Sequence, residues 1–131
     1  MVYQIEIAFD MRIVGSMTEI KDKLVTNAEK NNCEMHYINY EMAGKGRTII
    51  RNHSVMTFIF PEEVQYIMKF IRFVKKYKHA KIESISCEDK QCFLLYASKK
   101  YQTIMERHCV KKYKESRHLL TPEQKAIIKV M

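Results

Sequence analysis

Long apolar runs are missing from this sequence, and with them any candidate membrane helix, which needs roughly 20 consecutive apolar residues. The start of the chain lacks a charged leader followed by an apolar stretch, so the expectation is a cytoplasmic protein with no membrane contact. Three glycines and two prolines leave no linker, repeat or low-complexity tract, which points to one domain over residues 1–131. The phosphate-cradling pattern GxxxxGK[ST] is absent, which excludes P-loop nucleotide hydrolysis. Ile49 to Phe60 contains no K/R-G-F/Y-G/A-F run, so an RNA-recognition motif is excluded as well. No CxxC or HxxxH pair occurs, and Cys33 and His36, three apart on an expected strand, would point to opposite faces. Neither a metal nor a cofactor is therefore expected. The four cysteines fit reduced core residues of an intracellular protein better than a disulfide framework. One redox pair stays open to test, because Cys87 and Cys92 bracket Glu88-Asp89-Lys90-Gln91 and could face each other across a hairpin.

A last absence concerns charge. No carboxylate occurs between Glu63 and Glu83, while Lys69, Arg72, Lys75, Lys76, Lys78 and Lys81 all do. Residues 1–60 carry seven cations and seven carboxylates, and residues 61–131 carry sixteen against eight, so the net +8 belongs to the second half. That asymmetry favours an acidic partner, nucleic acid first and an anionic protein surface second.

The hydrophobic pattern gives the elements. Tyr3, Ile5, Ile7 and Phe9 alternate with polar or small residues, the signature of a strand with one buried face. Ser16-Met17-Thr18-Glu19 matches a capping box, predicting a helix that runs to Asn31-Asn32. Strands are expected over Cys33 to Met42 and Ile49 to Phe60, joined by the flexible basic turn Gly44-Lys45-Gly46-Arg47. The unbroken apolar run Val55 to Phe60 predicts a central strand covered on both faces. Pro61-Glu62-Glu63 then opens a helix reaching toward His79, with Val64, Tyr66, Ile67, Phe70, Ile71, Val74 and Tyr77 on one arc. Lys81 to Cys87 and Cys92 to Ala97 read as strands. Ser98 is placed to cap a second basic helix, and Thr121-Pro122-Glu123-Gln124 predicts a short final one.

The order through residue 87 is β-α-β-β-α-β, which resembles the split arrangement of ferredoxin-like folds. The expected fold class is therefore α+β, a ferredoxin-like antiparallel sheet over 1–87, with 92–131 adding a strand and helices. Asp10, at the end of the first strand, holds a place where some CRISPR-associated ferredoxin-like nucleases carry a metal-binding aspartate, but no second acidic residue is placed to complete a site. Arg107-His108-Cys109 are helix neighbours about 100° apart and do not face one another. No catalytic residue is assigned, and the expectation is a non-enzyme.

Two binding hypotheses remain. In the first, Lys45 and Arg47 of the turn, Lys69, Arg72, Lys75 and Lys76 of one helix, and Lys99, Lys100, Arg107, Lys111, Lys112 and Lys114 of the other hold phosphates of RNA or DNA with low sequence specificity. In the second, the aromatic hairpin is an assembly surface, with Tyr40 and Phe58 in a homodimer interface or against an acidic protein partner.

Overall fold

A computed structural model describes residues 2–10, 16–43, 50–61, 63–88, 92–99 and 120–131, with side chains for 2–9, 19–37, 55–61, 63–87, 95–99 and 120–131. Residues 44–49, residues 89–91 and the body of the helix expected after Ser98 lie outside the described residues.

Strands β1 (Val2–Asp10), β2 (Met35–Ala43), β3 (Ile50–Phe60), β4 (Ala80–Glu88) and β5 (Cys92–Ala97) form one sheet in the order β2-β3-β1-β4-β5. Every neighbouring pair is antiparallel. Helices α1 (Ser16–Lys30), α2 (Val64–Val74) and α3 (Pro122–Val130) complete an α+β architecture. None of the described helices is long and apolar enough to cross a membrane.

The alternation in β1 sets the layers. Tyr3, Ile5 and Ile7 lie opposite Phe60, Phe58 and Met56 of β3, and all six are buried. Leu24 and Ala28 of α1, Ile67, Phe70, Ile71 and Val74 of α2, and Ile127 of α3 close the core over this face. At its centre the Phe70 ring packs against Phe58 at 4.8 Å and Phe60 at 5.0 Å, both tilted, the geometry aromatic pairs prefer. The other face of β3 is covered too, as the apolar run predicts: Val55 and Thr57 are buried. Thr57 is 0% exposed, and its hydroxyl has no hydrogen-bond partner among the described residues. A stranded buried hydroxyl costs stability that an isosteric methyl does not. Thr57→Val should therefore leave the unfolding free energy from urea denaturation unchanged or raise it by up to about 1 kcal/mol; a clear loss of stability would count against the orphaned hydroxyl.

Helix ends follow their end residues. Asn32 takes a positive φ of 62°, which asparagine tolerates better than most residues. Around it Cys33 N–H donates to the Ala28 carbonyl at 3.0 Å and Asn32 N–H to the Glu29 carbonyl at 3.2 Å, the paired bonds of a Schellman motif. Cys33 thus belongs to the helix end, and β2 starts two residues later than the aromatic pattern suggests. At α3 the anticipated capping box is formed: Gln124 N–H donates to Thr121 Oγ1 at 3.2 Å, and Thr121 N–H to Gln124 Oε1 at 3.0 Å. Gln124 Nε2 also donates to Cys87 Sγ at 3.7 Å, pinning α3 to β4.

Helix α2 is shorter than its periodicity implies. Pro61 precedes the helix instead of opening it; Glu63 is the N-cap, with extended backbone and no side-chain cap. At the other end Lys76 N–H bonds Phe73 and Tyr77 N–H bonds Val74. These tighter three-residue closures turn the chain toward β4 while Tyr77 still packs on the core.

Candidate nucleic-acid interface

Because α1, α2 and α3 cover the same sheet face, their outer surfaces form one layer. It carries the cations Lys21, Lys23, Lys30, Lys69, Arg72, Lys75, Lys76, Lys78, Lys125 and Lys129, and the carboxylates Glu19, Asp22, Glu29, Glu63 and Glu123. Three of those five carboxylates are on α1, and Glu63 and Glu123 stand at the starts of α2 and α3. The positive excess therefore centres on α2 and the turn that follows it.

Lys69 and Arg72 are exposed on α2, and Lys76 is exposed just beyond it. The Lys69 ammonium lies 5.6 Å from the Tyr66 ring centre and that of Lys76 5.7 Å from the Phe73 ring centre. Aromatic faces weakly attract cations without neutralising them, and no ion pair to these three residues occurs among the described residues. Lys75 differs. Its ammonium donates to the Val130 carbonyl at 3.0 Å and to Met131 O at 2.7 Å, where the negative end of the α3 dipole favours a cation. Lys75 is thus a structural tie between the end of α2 and the end of α3, at an exposed position.

On α1, Glu19 lies 3.1 Å from the Lys23 ammonium and raises its pKa by hydrogen bonding and charge. The Lys21 ammonium sits 5.5 Å from the Phe9 ring centre, where burial lowers its pKa. Lys99 is exposed. It follows Ser98, whose N–H donates to the Glu83 carbonyl at 2.9 Å and whose hydroxyl donates to the Glu83 carboxylate. Lys45, Arg47, Lys100, Arg107, Lys111, Lys112 and Lys114 lie outside the described residues.

The two aromatic interface positions fare differently. Phe58 is fully buried against Phe70 inside its own chain, so it cannot meet a partner; its even position in β3 shares the helix-covered face. Tyr40 is on β2, the edge strand, and its side chain lies outside those described. Among the described side chains of that strand, the exposed apolar groups are Met35 and Tyr37, at 53% and 39%.

Other candidate groups separate or regroup. Cys87 stands opposite Phe93 in the β4–β5 register, while Cys92 stands opposite Glu88, so the expected facing of the two cysteines is not what the sheet aligns. The Cys33 thiol donates to the Met35 carbonyl at 3.2 Å, and burial pushes its pKa up. His36 instead approaches Glu29 of α1, at 3.7 Å. Asp10 is opposite His53, and His53 is opposite Glu41. These three side chains lie outside those described.

Charge counting misses an open groove of about 300 Å³ between α1 and α2, lined by Glu19, Asp22, Lys23, Thr26, Asn27, Lys30 and Phe73. The α1 residues recur every three or four positions, a wholly polar stripe. Phe73 is the one aromatic of α2 outside its packing arc, and that position is the sequence signal for the groove. No protein-family model, curated protein or solved structure matches this chain.

Proposed function

We propose that this protein is a non-catalytic basic binding module that holds the phosphate backbone of RNA or DNA with low sequence specificity. The observation carrying this reading is the exposed trio Lys69, Arg72 and Lys76, placed together on the outer layer with no carboxylate paired to them among the described residues. Phosphates exchange condensed counterions for such cations, which gives affinity without reading bases. The scaffold we propose is ferredoxin-like. In its favour, β2, β3, β1 and β4 are contiguous and antiparallel, and α1 and α2 pack on the same face, as a β-α-β-β-α-β chain requires. The setting we propose is intracellular.

Fluorescence-anisotropy titration of generic single- and double-stranded RNA and DNA across a salt series tests the reading. The logarithm of affinity should fall linearly with the logarithm of salt, with a slope of about −0.9 per phosphate contacted on a duplex. Absence of binding at low salt would overturn it.

A second reading, assembly through the sheet edge, is favoured by exposed Met35 and Tyr37 on edge strand β2. Open strands of this kind invite a further strand. It predicts a concentration-dependent dimer in sedimentation that Tyr37→Lys disperses; a monomer at every concentration removes the homodimer.

A further inference from the structure

The seam between α1 and α2 is built unlike the rest of the helix layer. Elsewhere the helices close over the core with apolar side chains, but here α1 offers a polar stripe and α2 the partly buried ring of Phe73. An apolar floor with a polar rim is the usual construction of a ligand slot.

The polar groups on that rim are unequally occupied. Lys23 and Glu19 hold each other at 3.1 Å, and the Thr26 hydroxyl donates to the Asp22 carbonyl at 2.9 Å. Asn31 Nδ2 donates to Asn27 Oδ1 at 3.0 Å, which leaves the Asn27 amide nitrogen as a donor with no partner among the described residues. The Asp22 carboxylate likewise has no cation paired to it there. The Asn27 donor and the Asp22 acceptor, five residues and about 140° apart around α1, therefore stand at opposite margins of the groove that holds the aromatic ring. The ring itself is braced edge-on by Tyr77, with centres 5.4 Å apart, and the Lys76 ammonium lies 5.7 Å from its centre.

We propose that this groove takes one unpaired nucleobase of a bound single strand, stacked on Phe73. This rests on the reading that the protein binds a nucleic-acid backbone. Asn27 meets the base edge, its free amide N–H donating to a ring nitrogen or carbonyl oxygen there. Lys30 and Lys76 meet the neighbouring phosphates. Stacking on an aromatic ring is sequence-tolerant, and it makes single strands preferred over duplexes, whose bases are already stacked.

The test compares a labelled oligodeoxyadenylate, an abasic strand of equal length and a duplex, at one salt concentration. The wild-type protein should bind oligodeoxyadenylate roughly tenfold or more tightly than the abasic strand, the scale of one stacked base. Phe73→Leu keeps the apolar volume and should erase that difference without changing the salt slope. The chain contains no tryptophan, so Phe73→Trp provides a single reporter on the groove floor whose emission oligodeoxyadenylate should quench and the abasic strand should not. Should the leucine variant loosen the fold, the tryptophan variant still decides. Equal affinity for intact and abasic strands, or equal quenching by both, overturns the base site while leaving backbone binding standing. Failure to bind any of the three probes at low salt overturns both.

Discussion

Phe58→Asp should leave no folded monomer, and Phe58→Ala should lower stability by about 3–5 kcal/mol. The ring has no exposed surface and packs at 4.8 Å on Phe70, with His36 at 6.1 Å on its other flank. Deleting it removes apolar burial and leaves a cavity between the sheet and α2 that neighbouring strands, held in register on both sides of β3, cannot collapse to fill. A carboxylate there would be set among the Ile5, Ile67, Phe60 and Phe70 core positions with no lysine or arginine in that described cluster to pair with it, and an unpaired buried charge exceeds what a domain of marginal stability tolerates. Urea denaturation followed by far-ultraviolet circular dichroism measures the alanine variant, and the aspartate variant should show no cooperative transition. By contrast, Tyr37→Asp changes a side chain 39% exposed on the edge strand, and its stability loss should be below about 1 kcal/mol. If Phe58→Asp folded normally and merely changed an association state, the burial described here would be wrong.

Phe58 also shows where the sequence is legible and where it stops being so. The alternation Tyr3, Ile5, Ile7, Phe9 requires a one-sided strand, and the structure has one. Val55 to Phe60 is apolar at nearly every position, which correctly implies burial of both faces but conceals which side chain meets which layer. Only the register, Ile5 opposite Phe58, assigns that residue to the helix side. The caps were readable because they are local: Thr121-Pro122-Glu123-Gln124 contains both partners of its own hydrogen bonds. The α2 limits were not, since the apolar arc continues through Tyr77 although the backbone has already turned at Lys75. Long-range polar contacts are likewise invisible to spacing. Nothing near Lys75 in the chain announces that its ammonium will be held by Val130 and Met131, more than fifty residues away.

Reversing Lys69, Arg72 and Lys76 together to glutamate should lower nucleic-acid affinity at least a hundredfold at moderate salt and reduce the salt slope by about 3. Each reversal changes the charge by two, so the formal net charge falls from +8 by six to +2, and the change is concentrated where cations most outnumber carboxylates among the described helices. The variant should remain folded. All three side chains are exposed, and the cation–aromatic contacts of Lys69 and Lys76 are worth about 0.5–1 kcal/mol each at exposed sites. Lys75 is excluded from the set for a physical reason: reversing it would set a carboxylate against the carbonyl end of α3, and lost affinity would then be confounded with a loosened helix. A matched control reverses Lys125 and Lys129, exposed cations of α3 at the margin of the excess; it should cost less than the α2 set, by the smaller number of phosphates released. Equal losses from the two sets would mean that binding responds to net charge and not to a surface. An unchanged affinity and slope in the α2 set, with the fold intact by circular dichroism, would remove α2 from the interface and leave its lysines as a solvated face.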